Sequence, residues 1–142
     1  MDPAGRWSPV AEYDGWPNGL AIHRDGRLYV ADYRRGIVRV DPASGEVATV
    51  LDTHRSEGFK GINDLHFSSE GELYFTDQGQ TGMQDPSGRV FRWSPERDGG
   101  PRLASLLDTA PSPNGLVLDR DERQLYVAVT RARRRLLVTA VQ

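Results

Sequence analysis

Cysteine is absent from the 142-residue chain, which excludes disulfides, thiolate catalysis and zinc sites built on thiolates. Lysine is nearly absent as well, since Lys60 is the single lysine among 18 basic residues. The formal net charge is −2, so no overall positive field attracts nucleic acid. We therefore expect no nucleic-acid partner.

Long apolar runs are also missing. No segment approaches the roughly 20 apolar residues of a membrane-spanning helix, and the first residues show no basic region followed by an apolar run, so no signal peptide is expected. Phosphate-binding loops, nucleophile elbows and zinc-binding helix motifs are not found either. These absences predict a cytoplasmic protein without a membrane partner.

A repeated module of strand, tight turn and strand is what the chain does contain. It begins at Asn18, Asn63 and Asn114, which are 45 and 51 residues apart. A leucine lies two residues after each asparagine, and a Leu-Tyr pair follows ten or eleven residues after it. A period of roughly 40 to 50 residues built from short strands is typical of β-propellers.

The repeats predict an all-β chain that forms about three blades of a β-propeller, each blade a four-stranded antiparallel sheet. The predicted repeats lie at about 16–52, 61–108 and 112–142, with only three strands in the last, and a lone strand at about 7–13 precedes them. Two explanations stay open. The chain is a segment of a longer product, or it is a half-ring completed by a second copy.

The repeated asparagine has two possible roles. Pro-Asn-Gly at 17–19 and 113–115 is ordinary turn chemistry. In the middle repeat, however, Ile62 and Asp64 replace the proline and glycine while Asn63 remains in register. Turn geometry alone does not explain why the asparagine is kept where its proline and glycine are not. We therefore infer that the repeated asparagine is a ligand.

Propeller topology suggests what the ligand is. First strands line the central channel, so Asn18, Asn63 and Asn114 are expected to converge at one mouth. Calcium takes about 6–8 oxygen ligands and accepts amide carbonyls. Amides bring no charge to balance the ion's desolvation, and Asp64 is expected to point to the opposite face because strand side chains alternate. The charged ligands are thus expected in blades outside this chain.

The segment 78–88 is a long insertion between the second and third strands of the middle repeat. The topology places it over the asparagines, and binding residues commonly lie on such loops. Lys60 lies on the same side, where it either meets an anionic or hydroxylated substrate or is a solvated loop cation.

Four stretches carry a resemblance to a known family: 16–22, 59–65, 73–79 and 111–118. With them the chain resembles the gluconolactonase, regucalcin (senescence marker protein) and luciferin-regenerating enzyme family of six-bladed β-propellers. The last two stretches are fairly specific, whereas Asp-Gly-x-Leu-Tyr-Val signals occur in many propellers.

The resemblance implies a divalent cation, often calcium, at the channel mouth and hydrolysis of lactones or related esters. It implies that Asn114 and Asn63 are metal ligands, that Asn63 also contacts the substrate, and that Lys60 represents a basic residue of the substrate site. Asn18 joins them as a substrate-binding candidate. The partner is then a small-molecule lactone or sugar acid.

Two family features are missing. The Glu-Gly-Pro motif of a metal-binding glutamate does not occur, and the metal-binding and catalytic aspartate is expected beyond Gln142. The sequence therefore predicts a fragment of a metal-dependent lactone or ester hydrolase, with an unknown catalytic residue and no activity unless a second copy completes the ring. The alternative is a non-catalytic binding module that uses the mouth-side loops.

Overall fold

The computed structural model describes residues 3–95, 99–129 and 136–140, and in these ranges the chain consists of strands and irregular segments without a helix. The predicted all-β class is confirmed. No helix long and apolar enough to cross a membrane occurs in this described part.

Three antiparallel sheets follow one another along the chain, each with its strands in sequential spatial order. The first sheet contains β1 (Pro17–Ile22), β2 (Leu28–Asp32), β3 (Gly36–Val40) and β4 (Val47–Leu51). A short hairpin of β5 (Thr53–His54) and β6 (Glu57–Gly58) connects the first sheet to the second. The second sheet contains β7 (Ile62–Phe67), β8 (Leu73–Asp77), β9 (Gly88–Ser94) and β10 (Arg102–Ala110). The third contains β11 (Pro113–Leu118), β12 (Gln124–Val129) and β13 (Leu136–Ala140).

The first hairpin shows how the sequence sets these strands. Gly26 has a φ of 84°, a left-handed conformation that suits glycine, and its amide donates to the His23 carbonyl. The Asp25 carboxylate accepts the Arg27 amide at 2.9 Å. The Asp-Gly turn therefore fixes the register in which Leu28 pairs with Ile22.

The β5–β6 hairpin was not predicted. Its turn residues Arg55 and Ser56 have φ values of 51° and 68°, yet neither is the glycine or asparagine that normally indicates such a turn. The sequence thus carries no local signal for this hairpin.

The predicted lone strand at 7–13 is wrong, because this segment is irregular. Pro9 has no amide to donate to a neighbouring strand. Tyr13 instead crosses the outward face of the first sheet, packs with Ala11 on Val30 and its neighbours, and donates its hydroxyl to Asp32 at 3.1 Å. The segment covers a sheet face and extends no sheet edge.

Two apolar clusters join the sheets face to face. Between the first and second sheets, Tyr29, Ala31 and Ile37 pack with residues such as Leu65 and Phe75. Between the second and third sheets lie Tyr74, Val90, Leu116, Leu118, Leu125 and Val127. The sheets are therefore stacked in chain order, which brings their innermost strands β1, β7 and β11 side by side.

Candidate functional site

A β-bulge begins each innermost strand at the repeated asparagine. Pairing with the second strand of the sheet shifts register between Pro17 and Leu20, between Ile62 and Leu65, and between Pro113 and Leu116. A bulge adds one residue and re-aims the side chains beside it. Strict alternation, which was used to place Asp64, therefore does not hold at this position.

The starts of the three innermost strands meet closely. A methyl group on Gly19 would lie 2.5 Å from Asp64 Oδ1 and 3.0 Å from the Asn63 carbonyl oxygen, and one on Gly115 would lie 3.6 Å from Asp64 Oδ2. The Asp64 carboxylate also accepts the Leu116 amide at 3.3 Å. A carboxylate thus lies among the starts of the three strands, which differs from the expected opposite orientation.

Asn63 is held by a polar network from the inserted loop. It is only 8% exposed, and its Nδ2 donates to Gln78 Oε1. Gln78 Nε2 in turn donates to the Ser112 hydroxyl at 2.7 Å, and the Thr81 hydroxyl accepts the Ser112 amide at 3.2 Å. This arrangement uses the nitrogen of the Asn63 side chain and leaves its carbonyl oxygen for a ligand.

Asn114 is fixed through its backbone. Its carbonyl oxygen accepts the Thr76 hydroxyl at 2.8 Å, and the same hydroxyl accepts the Asp64 amide at 3.1 Å. Thr76 is fully buried. One hydroxyl therefore couples the bulge of β7 to the start of β11, two residues beyond Ser112.

Asn18 has a different environment. It is exposed at the start of β1 and lines an apolar pocket on the outward face of the first sheet, together with Tyr13, Leu20 and Val30. Its role in substrate binding stays a prediction.

Lys60 anchors the inserted loop. Its ammonium group donates to the carbonyl oxygen and the hydroxyl of Ser87, both at 2.7 Å. A hydrogen bond from the Ser87 hydroxyl, with a smaller effect of the Lys60 charge, keeps the pKa of Asp85 below its ordinary value. Gln80 ties the same loop to the Tyr33 hydroxyl at 2.8 Å. The loop is thus fastened from both sides while its first residue, Gln78, holds Asn63.

Within residues 3–95, 99–129 and 136–140, no group of three or more His, Cys, Asp or Glu side chains is arranged to hold a metal ion. Asn63 and Asp64 lie in the bulge of β7 and Asn114 lies in that of β11, so two side-chain amides and one carboxylate belong to the bulges. This set can contribute to a hard-cation site but does not form a full charged ligand shell.

A family model described as "SMP-30/Gluconolactonase/LRE-like region" matches residues 1–142. The chain belongs to this family. The family predicted from the sequence motifs is therefore confirmed.

Individual relatives agree with this assignment. A gluconolactonase from Zymomonas mobilis is 35% identical over 140 residues, which cover 90% of this chain and 38% of that protein. A lactonohydrolase from Aspergillus oryzae is 28% identical over 131 residues, covering 79% of this chain and 29% of that protein. The solved structure of a gluconolactonase from Xanthomonas campestris matches with a TM-score of 0.78 and 25% identity, over 92% of this chain and 46% of that one. The chain thus spans less than half the length of these relatives.

Three residues of the site network were missed by sequence reasoning. Thr76 in β8 corresponds to Ala31 in β2. Each lies one residue before the aspartate that pairs with the first residue of the bulged strand, Asp77 in β8 and Asp32 in β2. A threonine next to the apolar Phe75 in a strand buried along its whole length was a usable signal, because buried polar groups are hydrogen-bonded. Gln78 and Ser112 gave no such signal, since loop residues are polar for many reasons.

Proposed function

We propose that this chain is part of a metal-dependent lactone hydrolase in which Asn63 and Asn114 are neutral ligands of a divalent cation, with calcium as the expected ion. The observation that carries the proposal is the fixed Asn63 amide. Its nitrogen is bound by Gln78, so its carbonyl oxygen is available beside the start of β11. Lactonases among the relatives support the substrate class.

The donor chemistry fits calcium at this position. Amide carbonyls and a carboxylate are hard oxygen ligands. The Asp64 carboxylate lies close to Gly115, the residue after Asn114, and accepts the Leu116 amide. Asp64 would supply one negative charge toward the ion. Further oxygen ligands are needed, because calcium takes about 6–8.

A divalent cation held by these residues would supply Lewis-acid chemistry toward the carbonyl group of a lactone. The chain's own residues orient the site. Gln78 and Ser112 hold Asn63, Thr76 holds the backbone of Asn114, and Lys60 keeps the loop 78–88 in place above them. Activation of water needs a general base. We expect that base to be a residue other than those named for this site.

Calcium titration of the purified chain, followed by calorimetry, tests the proposal. We expect binding that Asn63→Leu and Asn114→Leu each weaken, because either change removes one oxygen ligand. Gln84→Leu, in the exposed part of the loop, is the matched amide-to-leucine control and is expected to bind as the unmodified chain does.

Hydrolysis of gluconolactone is measured in parallel with and without chelator. Chelator-sensitive hydrolysis supports the enzyme. Failure of calcium, magnesium, manganese and zinc all to bind contradicts the metal site and favours the alternative, a binding module that uses the loops without chemistry.

A further inference from the structure

A cavity lies between the outermost strands of the first and second sheets, β4 and β10, at the edge of each sheet opposite to the innermost strands β1 and β7. Its volume is about 640 Å³, and its walls are Leu51 at the end of β4, the β5–β6 hairpin, and Leu103, Ser105 and Asp108 of β10. Small-molecule sites in proteins typically have volumes of about 300–1,000 Å³. The space between these two neighbouring sheets is therefore large enough for a small molecule.

The β5–β6 hairpin is fixed on the second sheet through both of its strands. In β5, the His54 ring packs on Phe91 at a ring distance of 5.0 Å. In β6, the Gly58 carbonyl oxygen accepts the guanidinium group of Arg89 at 3.3 Å. Arg89 is buried and forms an ion pair with Asp77 at 2.6 Å. The hairpin is thus a fixed wall of the cavity.

Arg55 lines the cavity from the turn of this hairpin. Arg55 and Ser56 have left-handed φ values of 51° and 68°, which are unfavourable for residues other than glycine, asparagine or aspartate. Such backbone strain is found most often at functional positions. In the described part of the chain, the Arg55 guanidinium group forms no ion pair. The turn therefore presents a cation that a ligand can bind.

The β10 wall carries a carboxylate on an irregular strand. The pairing of β10 with β9 shifts register between Ser105 and Leu107 and again between Leu107 and Ala110. Bulges re-aim side chains and are frequent next to active sites, and Asp108 lies within the second shift. The Ser105 hydroxyl donates to Asp108 Oδ1, which fixes the carboxylate. Within residues 3–95, 99–129 and 136–140, no cationic side chain pairs with Asp108.

Arg55 and Asp108 thus line one cavity without forming an ion pair with each other. A ligand with a single charge would pair with one of them and bring a like charge near the other, which is unfavourable. A zwitterion supplies a partner to both. The two charged groups therefore favour a ligand that carries a carboxylate and an ammonium group at separate positions.

The rest of the cavity wall suits a short peptide. Leu51 and Leu103 line it and pack on the core cluster behind them, so they offer an apolar surface. Both β4 and β10 are edge strands, each with one strand neighbour in the described sheets. The unpaired backbone groups of an edge strand can bind the peptide groups of a ligand.

We propose that this cavity binds a short zwitterionic peptide with apolar side chains, such as a dipeptide. Arg55 binds its terminal carboxylate, Asp108 binds its terminal ammonium group, and Leu51 and Leu103 contact its side chains. The cavity lies at the sheet edges opposite to the candidate cation site. The inference therefore goes beyond the proposed function and does not depend on a metal.

An NMR titration of the purified chain with leucyl-leucine, carried out in the presence of chelator, tests the proposal. We expect saturable shifts of the backbone amide resonances of Arg55 and Asp108. N-acetyl-leucyl-leucine lacks the ammonium group, and leucyl-leucinamide lacks the carboxylate. Each of these two peptides is expected to bind at least about tenfold more weakly, because each loses one charge-assisted hydrogen bond.

Two variants assign the two charges of the peptide to their partners. Arg55→Gln is expected to weaken the binding of leucyl-leucine about tenfold but not that of leucyl-leucinamide. Asp108→Asn is expected to weaken leucyl-leucine to a similar extent but not N-acetyl-leucyl-leucine. Asp14→Asn and Arg34→Gln are the matched controls, since these residues form an exposed ion pair at 3.1 Å outside the cavity, and both are expected to bind as the unmodified chain does.

Thermal unfolding shows whether each variant remains folded, and both changed residues are exposed. The absence of a saturable shift with leucyl-leucine overturns the proposal. Equal affinities for the three peptides, or equal weakening by the control variants, overturn it as well. Because chelator is present throughout, failure of the candidate cation site does not affect the result.

Discussion

The Thr76 hydroxyl donates a 2.8 Å hydrogen bond to the carbonyl oxygen of Asn114. Thr76 lies in β8 of the second sheet and Asn114 in β11 of the third, so this bond crosses from one sheet to the next. The same hydroxyl accepts the amide of Asp64 in the β7 bulge. A single buried side chain therefore satisfies two backbone groups that the bulges remove from the strand ladders.

Replacement of Thr76 by valine keeps the shape and removes the hydroxyl. We expect Thr76→Val to lower the free energy of unfolding by about 1–3 kcal/mol, because the Asp64 amide and the Asn114 carbonyl both lose a buried partner. Urea unfolding measures the change. Thr76→Ser keeps the hydroxyl and serves as the control. Equal stabilities of the valine and serine variants would contradict the bridging role.

Gly19 and Gly115 occupy equivalent positions but differ in the space around them. A methyl group on Gly19 would lie 2.9 Å from the Asp64 Cα, which is backbone and cannot rotate away, whereas one on Gly115 would be in ordinary contact at 3.6 Å. We expect Gly19→Ala to destabilise the fold by about 1–3 kcal/mol through overpacking. Gly115→Ala is the matched control with a smaller effect, and thermal unfolding of the two variants compares them. The prediction fails if Gly115→Ala is the more damaging change.

Strand positions were largely predictable because they depend on local signals. β3, for example, lies between Gly36 and the Asp41 turn, two local signals that mark both of its ends. The site was predictable only in part. The repeat identified Asn63, but its partner Gln78 belongs to a loop whose course is fixed by distant contacts of Lys60 and Gln80. The bulge that re-aims Asp64 likewise arises from strand pairing, which no single repeat specifies.

Tyr13 attaches the segment before β1 to the first sheet, and its contribution to the free energy of unfolding is expected to depend on pH. Burial first, then the hydrogen bond to Asp32 and the charge of that carboxylate, raise the pKa of Tyr13 from 10.0 to about 12, against the opposing charge of Arg35. The folded state thus favours the protonated hydroxyl. Its stabilising contribution is complete below pH 10 and is lost as the pH rises through about 12.

Comparison with Tyr13→Phe isolates this contribution. We expect the unmodified chain to be more stable than the phenylalanine variant at neutral pH, by about 0.5–1.5 kcal/mol for one hydrogen bond. The difference should shrink between pH 10 and pH 12. Urea unfolding of both chains across this range measures it, and a difference that stays constant through pH 12 would show that the Tyr13–Asp32 bond does not stabilise the fold.

Gln78 is expected to control the affinity of the proposed cation site without touching the ion. Its Oε1 binds the Asn63 nitrogen and so determines which end of that amide is left for a ligand. Gln78→Leu removes the acceptor and lets the amide turn. We expect calcium affinity to fall about 10–100-fold, as is typical when a residue that orients a ligand is lost, whereas Gln78→Glu keeps the acceptor and much of the affinity.

Gln80→Leu is the matched control, because Gln80 lies in the same loop but donates to Tyr33 instead of contacting Asn63. Calcium titration gives the affinities, and the side-chain amide resonances of Asn63 report its orientation in the absence of metal. Loss of affinity in Gln78→Leu with an unchanged Asn63 resonance would mean that Gln78 acts by another route. A changed resonance in the leucine variant and not in the glutamate variant would show that the Gln78 acceptor positions Asn63, whichever ion the site takes.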